Sequence, residues 1–378
     1  MKTTLFFMMC GVVLAFILWR LRRPPSRSYG QVDVIVPAYN EEPCLEQTLR
    51  NLHANKYVNR VICVNDGSTD GTGAALDRWA KVAPKLVAVH QENSGKGGAV
   101  MHGLQYVTTP YVFLTDADTY VPATGDGLGY MLAELEAGAD AAGGVPSSDL
   151  RGLGLLGYIR ATVKLPMIVL KRTFQQILGG APFIISGACG MFRTEVLREV
   201  GLSDRTKVED LDLTWELVGR GYKVRQVNRC IVYPQECKSI REDWRRWRRW
   251  IMGYAVCMRL HRRLLLSRFG LFSILPMFLL VVAGAAIQGI AWTQAVLSGS
   301  PEQIPVLLFP PVWVAAVTVI GLVSALHHGK VRLVFLAPFA VLYVLLSYAV
   351  WIIHGLWALI TGREFGRDKP TRYARVVA

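Results

Sequence analysis

Between residues 31 and 118, four β-branched apolar runs alternate with three helical patterns, and few folds satisfy that alternation. The runs VDVIVPAY (32–39), VNRVICVND (58–66), KLVAVHQ (85–91) and TPYVFLTDAD (109–118) read as strands. EEPCLEQTLRNLHAN, GSTDGTGAALDRWAKVA and GKGGAVMHGLQYV read as helices, each entered through polar or turn residues. Strands this continuously apolar, alternating with helices, predict a mostly parallel sheet covered on both faces. In such sheets, ligands sit beyond the carboxyl ends of the strands.

The polar clusters fall at those ends. PAYNEE (37–42) closes the first strand, VNDGSTDGT (64–72) the second, and NSGKGGA (93–99) opens the third helix. Gly95, Gly97 and Gly98 permit close backbone approach, a helix N-terminus favours anions, and Lys96 adds a point charge. Asp116 and Asp118 follow the fourth strand. Two apart on an extended segment, their carboxylates point the same way, which suits a hard cation such as Mg or Mn shared with a diphosphate. Taken alone, D-x-D also fits a loop with two solvated acids; the three neighbouring clusters favour the metal.

Four apolar runs flank this region: 3–19, 271–292, 304–326 and 333–360. Each is near or above the roughly 20 residues that span a bilayer as helix. Arg20, Arg22, Arg23 and Arg27 follow the first run, where a signal peptide would carry its charge before it. An uncleaved anchor over 1–27 is expected, holding a soluble domain over 28–238 on the cytoplasmic side of the membrane. An amphipathic segment over 239–270, a bundle of about three spans over 271–362 and a basic tail over 363–378 complete the organisation. Three spans after a cytoplasmic domain put the tail outside, yet its basic character suits the inside. A tail that breaks the rule and a re-entrant late segment both remain open, with four true spans the simpler arrangement.

The net charge of +14 resides in residues 20–27, 241–268 and 361–378, all beside apolar runs. Anionic headgroups are the natural partner there, and a nucleic-acid groove is excluded. Seven cysteines are scattered without a C-x-x-C pair, so neither a thiolate metal site nor a disulfide framework is expected. In 239–270, Trp244, Trp247, Ile251 and Tyr254 share one helical face among nine arginines, which predicts a helix lying in the membrane interface. Residues 151–180, apolar with spaced basic side chains, suit a second one.

The stretches VPAYNEE, VNDGSTDGT, NSGKGGA, DAD, SGACGMFR (186–193), VEDLDLTWEL (208–217) and RWRRW (246–250) occur in one order over residues 31 to about 260. In that order they resemble the membrane-bound processive glycosyltransferases of family 2, which have a GT-A fold; hyaluronan, chitin-oligosaccharide, poly-N-acetylglucosamine and cellulose synthases are examples. The resemblance implies a Rossmann-like α/β GT-A domain flanked by transmembrane and amphipathic interface helices. It assigns Asp210 as catalytic base and Asp116 and Asp118 to the metal. Tyr39, Glu41, Asp66, Lys96, Asp116 and Arg249 fall to the nucleotide-sugar, and Cys189, Gly190 and Trp250 to the acceptor. Two positions depart from the family pattern. Asn65 replaces the first aspartate of Asp-Asp-Gly-Ser, and Arg246 replaces the glutamine of Q-x-x-R-W.

The chemistry is consistent with those assignments. Expelling a nucleoside diphosphate needs its growing negative charge neutralised, and the attacking hydroxyl needs a carboxylate base. Glu209 and Asp212, beside Asp210, read as first-turn helix charges. The resemblance points to a UDP-sugar donor, with N-acetylglucosamine the first expectation, and to a saccharide or lipid-linked acceptor at the bilayer. Two alternatives stand beside polymer synthesis: a single transfer onto a polyprenyl phosphate, and an inactive membrane scaffold. The four aspartates Asp66, Asp116, Asp118 and Asp210 speak against the scaffold.

Overall fold

The computed structural model describes residues 26–276, 310–365 and 372–373, with scattered positions between 278 and 299. The soluble region begins β1 (Val32–Ala38), α1 (Glu42–Ala54), β2 (Val58–Asp66), α2 (Thr72–Ala80), β3 (Leu86–Gln91), α3 (Gly95–Gly103) and β4 (Tyr111–Leu114). It continues with α4 (Gly127–Glu136), β5 (Ala141–Pro146), α5 (Leu155–Gly179), β6 (Gly190–Arg193), α6 (Thr194–Val200), α7 (Glu209–Gly219) and β7 (Val224–Val232). After it come α8 (Ile240–Leu260), α9 (Pro310–His328), α10 (Arg332–Val350) and α11 (Leu356–Thr361).

The seven strands form one sheet in the order β3-β2-β1-β4-β6-β5-β7. Alternate residues of β1 feed opposite cores: Val34 and Val36 pack with α1 and α4, Ile35 with α3 and the α7–α8 side. Both faces are thus covered, as the unbroken apolar runs require. The exception to parallel pairing is β6, which runs antiparallel to both β4 and β5. Leu114 therefore sits opposite Gly190, and the chain leaving β4 meets the chain entering β6. Thr115 Oγ1 donates to Ala188 O at 3.0 Å across that junction. The reversal of one short strand is what brings SGAC beside DAD.

Helix α8 departs from expectation. Ser239 caps it by accepting from Glu242 N at 3.2 Å, and Ile251–Met258 are buried. Its aromatic face meets other parts of the protein: Trp247 Nε1 donates to Tyr343 OH at 2.7 Å, and the Tyr254 ring lies 5.0 Å from that of Trp351. Tyr254 also joins Phe183 and Trp215 in an edge-to-face cluster that fastens α7 to α8. Helix α5 is similarly covered: Ser324 Oγ from α9 donates to Thr162 O at 2.5 Å, and Arg160 and Arg172 are buried. Part of the faces expected against headgroups thus packs against α9, α10 and the turn after it, while Trp244, Met167 and Phe174 stay exposed.

No helix among the described residues is long and apolar enough to cross a membrane, so the expected flanking spans find no support there. The anchor run 3–19, part of 271–292 and residues 304–309 lie outside the described residues.

Candidate active site

The first two strand ends are laced together. Asn40 takes a left-handed backbone, φ 51°, in the sharp turn after β1. Its Oδ1 accepts from Thr69 N at 2.7 Å, and its own N–H donates to Ser68 Oγ at 3.0 Å. Tyr39 stands half-exposed on the same turn. Asp66, at the end of β2, is buried, and its Oδ1 accepts from Ser94 N and Gln91 Nε2, both at 2.7 Å. The anion at the N-terminus of α3 is thus the Asp66 carboxylate, where the glycine-rich loop had suggested a phosphate. The loop's glycines answer local packing: a Cβ on Gly98 would lie 2.2 Å from Ser94 Oγ, and one on Gly97 3.0 Å from Asp204 Oδ1.

Lys96, one residue into α3, faces a cluster of acids. Its Nζ lies 2.6 Å from Asp116 Oδ1 and 3.2 Å from Glu209 Oε1. Burial disfavours the ammonium, but Asp116, Glu209 and Asp210 outweigh it and hold its pKa above the ordinary value. Asp210 opens α7 beside them. Gly187 N donates to its Oδ2 at 2.9 Å, and Leu211 N to its Oδ1 at 2.9 Å. Burial and then the charge of Glu209 push its pKa up, against Lys96 and the Gly187 N–H. Gly187 fills the gap between the two: a Cβ there would lie 2.7 Å from Lys96 Nζ and 3.6 Å from Asp210 Oδ2. Behind the group is a small hollow walled by Pro37, Thr115, Ile185, Ser186 and Leu213, among others.

Asp118 turns elsewhere. Strand β4 stops at Leu114, and Thr119 N donates to Asp116 O at 3.0 Å, closing a turn. The strand alternation invoked for the pair does not extend to it, and the two carboxylates part. Asp116 meets Lys96; Asp118 meets Arg372, which also lies 2.8 Å from Glu41 Oε2. Among the described residues, no three His, Cys, Asp or Glu side chains gather as a metal cage. Two carboxylates still fit Mg or Mn, which takes its remaining ligands from substrate oxygens and water. A guanidinium seated on Asp118 and Glu41 shows that the pocket accepts a cation.

The expected acceptor residues are placed differently. Cys189 is fully buried with its Sγ 3.7 Å from Cys230 Sγ, so its side chain packs in the core below the cleft. Gly190 opens β6, where a Cβ would come within 2.8 Å of Ile185 and Phe192. Ser186 and Gly187 wall the cleft in their stead. Arg249 lines a separate hollow with Lys207, Arg245, Arg248, Glu364 and Phe365, and Trp250 is exposed beside Trp247. Neither joins Lys96 and Asp210 in the cleft wall. Arg246 enters a buried charge network, its Nη2 2.5 Å from Asp243 Oδ1, where Arg160 also reaches Asp243 and Glu236.

Sequence reasoning passed over Glu209 and Gly187. The first looked like a helix-start charge, and the second is a lone glycine three residues before a strand. Asp212 is a structural acid, tied to Arg205 at 2.9 Å and His261 at 2.6 Å.

With this geometry in place, the comparisons decide the family. Residues 33–201 match the domain described as Glycosyl transferase family 2. A relative from Escherichia coli (strain K12), the uncharacterized glycosyltransferase YaiP, is 62% identical over 378 residues, all of this chain and 95% of that one. The chain belongs to glycosyltransferase family 2. A poly-β-1,6-N-acetyl-D-glucosamine synthase from Staphylococcus aureus (strain COL) is 27% identical over 245 residues, 63% of this chain. The match spans 58% of that synthase's length. Among solved structures, the mannosyltransferase PcManGT from Pyrobaculum calidifontis, in complex with GDP-Man and Mn2+, superposes with a TM-score of 0.57 at 23% identity. That superposition covers 94% of this chain and 97% of the other, and it shows a shared GT-A fold. This family 2 enzyme is a glycosyltransferase.

Proposed function

We propose that this family 2 enzyme is an inverting, metal-dependent transferase that moves N-acetylglucosamine from a UDP-sugar onto a growing polysaccharide. The observation that carries the reading is the Asp210 carboxylate, fixed by two backbone N–H groups within reach of Lys96 and raised in pKa. An acceptor hydroxyl attacking the anomeric carbon forms the new C–O bond as the bond to the diphosphate breaks. Its proton passes to Asp210, and the nucleoside diphosphate leaves with the electron pair. Lys96 balances the charge of Asp116 and Glu209 while the leaving group gains its own. Mg or Mn held by Asp116 and Asp118 would supply further neutralisation of the diphosphate. In this reading Tyr39 and Asp66, at the ends of β1 and β2, serve the nucleotide. The choice of sugar rests on the similarity to the poly-N-acetylglucosamine synthase.

We further propose that the enzyme works at the membrane, with its catalytic domain on the cytoplasmic face. Support comes from the bare apolar sides of α9 and α10, where Leu326, Phe335, Phe339 and Leu342 are all exposed. The basic residues beside the apolar runs agree.

A single transfer onto a polyprenyl phosphate is the second reading. The placement of Arg249 and Trp250 away from the cleft, with Arg246 drawn into the network around Asp243, favours it. One assay separates the two: protein in detergent, Mn or Mg, and a panel of radiolabelled UDP-sugars, with products sorted by size and butanol solubility. A polymer from UDP-N-acetylglucosamine supports the first reading and a small glycolipid the second. Asp210→Asn removes a general base and should cost on the order of 10²- to 10⁴-fold in rate. Full activity in that variant would sink the assignment of Asp210.

A further inference from the structure

Arg372 lies 331 positions after Glu41, yet its Nε is 3.0 Å from one Glu41 oxygen and 2.8 Å from the other. Its Nη1 reaches Asp118 Oδ2. The arginine side chain is 17% exposed, and Glu41 and Asp118 are nearly closed off. Burial opposes the guanidinium's charge, but Asp118 and Glu41 outweigh it and raise its pKa. The next residue is anchored independently. Tyr373 OH donates to Glu236 O at 2.7 Å, Gln235 Nε2 donates to Tyr373 O at 2.5 Å, and Lys238 Nζ lies 3.6 Å from the ring centroid. Residues 372–373 therefore form a strap from the D-x-D turn to the segment entering α8.

We propose that this strap is autoinhibitory: Arg372 occupies the cation seat of Asp118 and is displaced when a divalent metal and a nucleoside diphosphate arrive. The proposal rests on the assignment of Asp118 to the donor metal. A carboxylate that neutralises a guanidinium at contact distance cannot also ligate a divalent ion without bringing two cations together in a site of low polarity. Metal binding must therefore break the Arg372 pair. Every donor-binding event then carries the cost of releasing the strap, which weakens apparent affinity by the fraction of enzyme that is strapped. Neither Arg372 nor Tyr373 serves the chemistry derived above, and Arg372 is held by side chains that include the expected metal ligand Asp118.

The test is a binding measurement on the full chain in detergent. Calorimetry with Mn2+ and UDP would compare wild type, Arg372→Ala, Tyr373→Ala and Asp118→Asn. Expected is at least tenfold tighter binding in Arg372→Ala, about threefold in Tyr373→Ala, and none in Asp118→Asn. Tyr373→Ala leaves the cleft acids intact and keeps the test open should Arg372→Ala misfold. A second readout is trypsin cleavage of the wild-type bond after Arg372, followed by intact mass. Mn2+ with UDP should speed that cut at least fivefold, because trypsin needs the arginine that the cleft now holds. Unchanged affinity in Arg372→Ala and Tyr373→Ala, with Asp118→Asn still inactive in binding, overturns the strap alone. Weaker binding in Arg372→Ala makes Arg372 a donor ligand and also overturns it. Absence of Mn2+–UDP binding in every protein overturns the donor-site assignment and the strap together.

Discussion

The ammonium of Lys96 lies 2.6 Å from a carboxylate oxygen of Asp116, a pair that joins the third helix to the turn after β4. Glu209 and Asp210 arrive from α7, so one lysine holds three segments of the chain together. Truncating it leaves acids facing one another.

Lys96→Ala should therefore reduce transfer on the order of 10²-fold, as loss of a charge-stabilising group at such a site does. The pH profile gives a sharper check. Lys96 lowers the pKa of Asp210, so its removal raises that pKa further. The base ionises only above its pKa, and the acid limb of kcat/KM should move to higher pH. A limb that stays in place would separate Lys96 from the ionisation of Asp210.

Gly187→Ala probes the gap between Lys96 and Asp210. The new methyl would stand 2.7 Å from Lys96 Nζ, the far end of a side chain that can swing away. The fold should tolerate it, with a change in Tm of a degree or two. The Lys96–Asp116 pair should not, and displacement by about 1 Å is expected to cost on the order of 10²-fold in kcat. Equal losses of activity and stability would mean that the loop had simply unfolded.

The parts of this architecture written in local pattern were legible. Strands β1 and β2 carry β-branched residues on both faces, and the helices that follow them are entered through polar or turn residues. Asp116 and Asp118 stood out by residue type and neighbourhood, and Asp210 by the resemblance of VED to a family motif. What escaped depends on pairings distant in sequence. Strand β6 is only four residues, and nothing in GMFR states its direction; that is set by ladders to β4 and β5. Cys189 looked like a cleft residue, but the peptide before β6 turns its side chain inward against Cys230. Trp247 read as a membrane anchor because Tyr343, whose hydroxyl its indole N–H meets, lies about a hundred residues on. Arg372 looked like one more basic residue in a tail, since its partners are hundreds of positions earlier.

Asp212 offers a stability measurement independent of catalysis. Burial raises its pKa, but hydrogen bonds from His261, Arg205 and Ser203 prevail and hold it down at about 2, against an ordinary 3.8. A folded-state pKa below the unfolded one contributes stability at higher pH, lost as pH falls through the folded value. Asp212→Asn should lower Tm by several degrees at neutral pH, corresponding to about 2 kcal/mol for hydrogen bonds to a buried charge. The difference from wild type should shrink between about pH 4 and pH 2. A gap that persists unchanged at pH 2 would place the loss in packing, outside the carboxylate's charge.

Arg246 sits at the glutamine position of the Q-x-x-R-W pattern that the sequence resembles, which invites the substitution Arg246→Gln. The structure argues against a gain. Arg246 Nη2 lies 2.5 Å from Asp243 Oδ1, and the Asp243 side chain is 2% exposed. Arg160 and the Tyr343 hydroxyl also reach that aspartate, so the network is built around the extra cation. A glutamine side chain is shorter and neutral, and it leaves a buried carboxylate with one charge fewer to oppose it. The expected cost is about 1–3 kcal/mol, read as a fall of several degrees in Tm. The variant Arg246→Gln with Asp243→Asn should recover part of the loss, because the uncompensated charge is then gone. Additive losses in the double variant would show that Arg246 acts through packing on the Trp250 ring, over which its guanidinium lies at 5.0 Å.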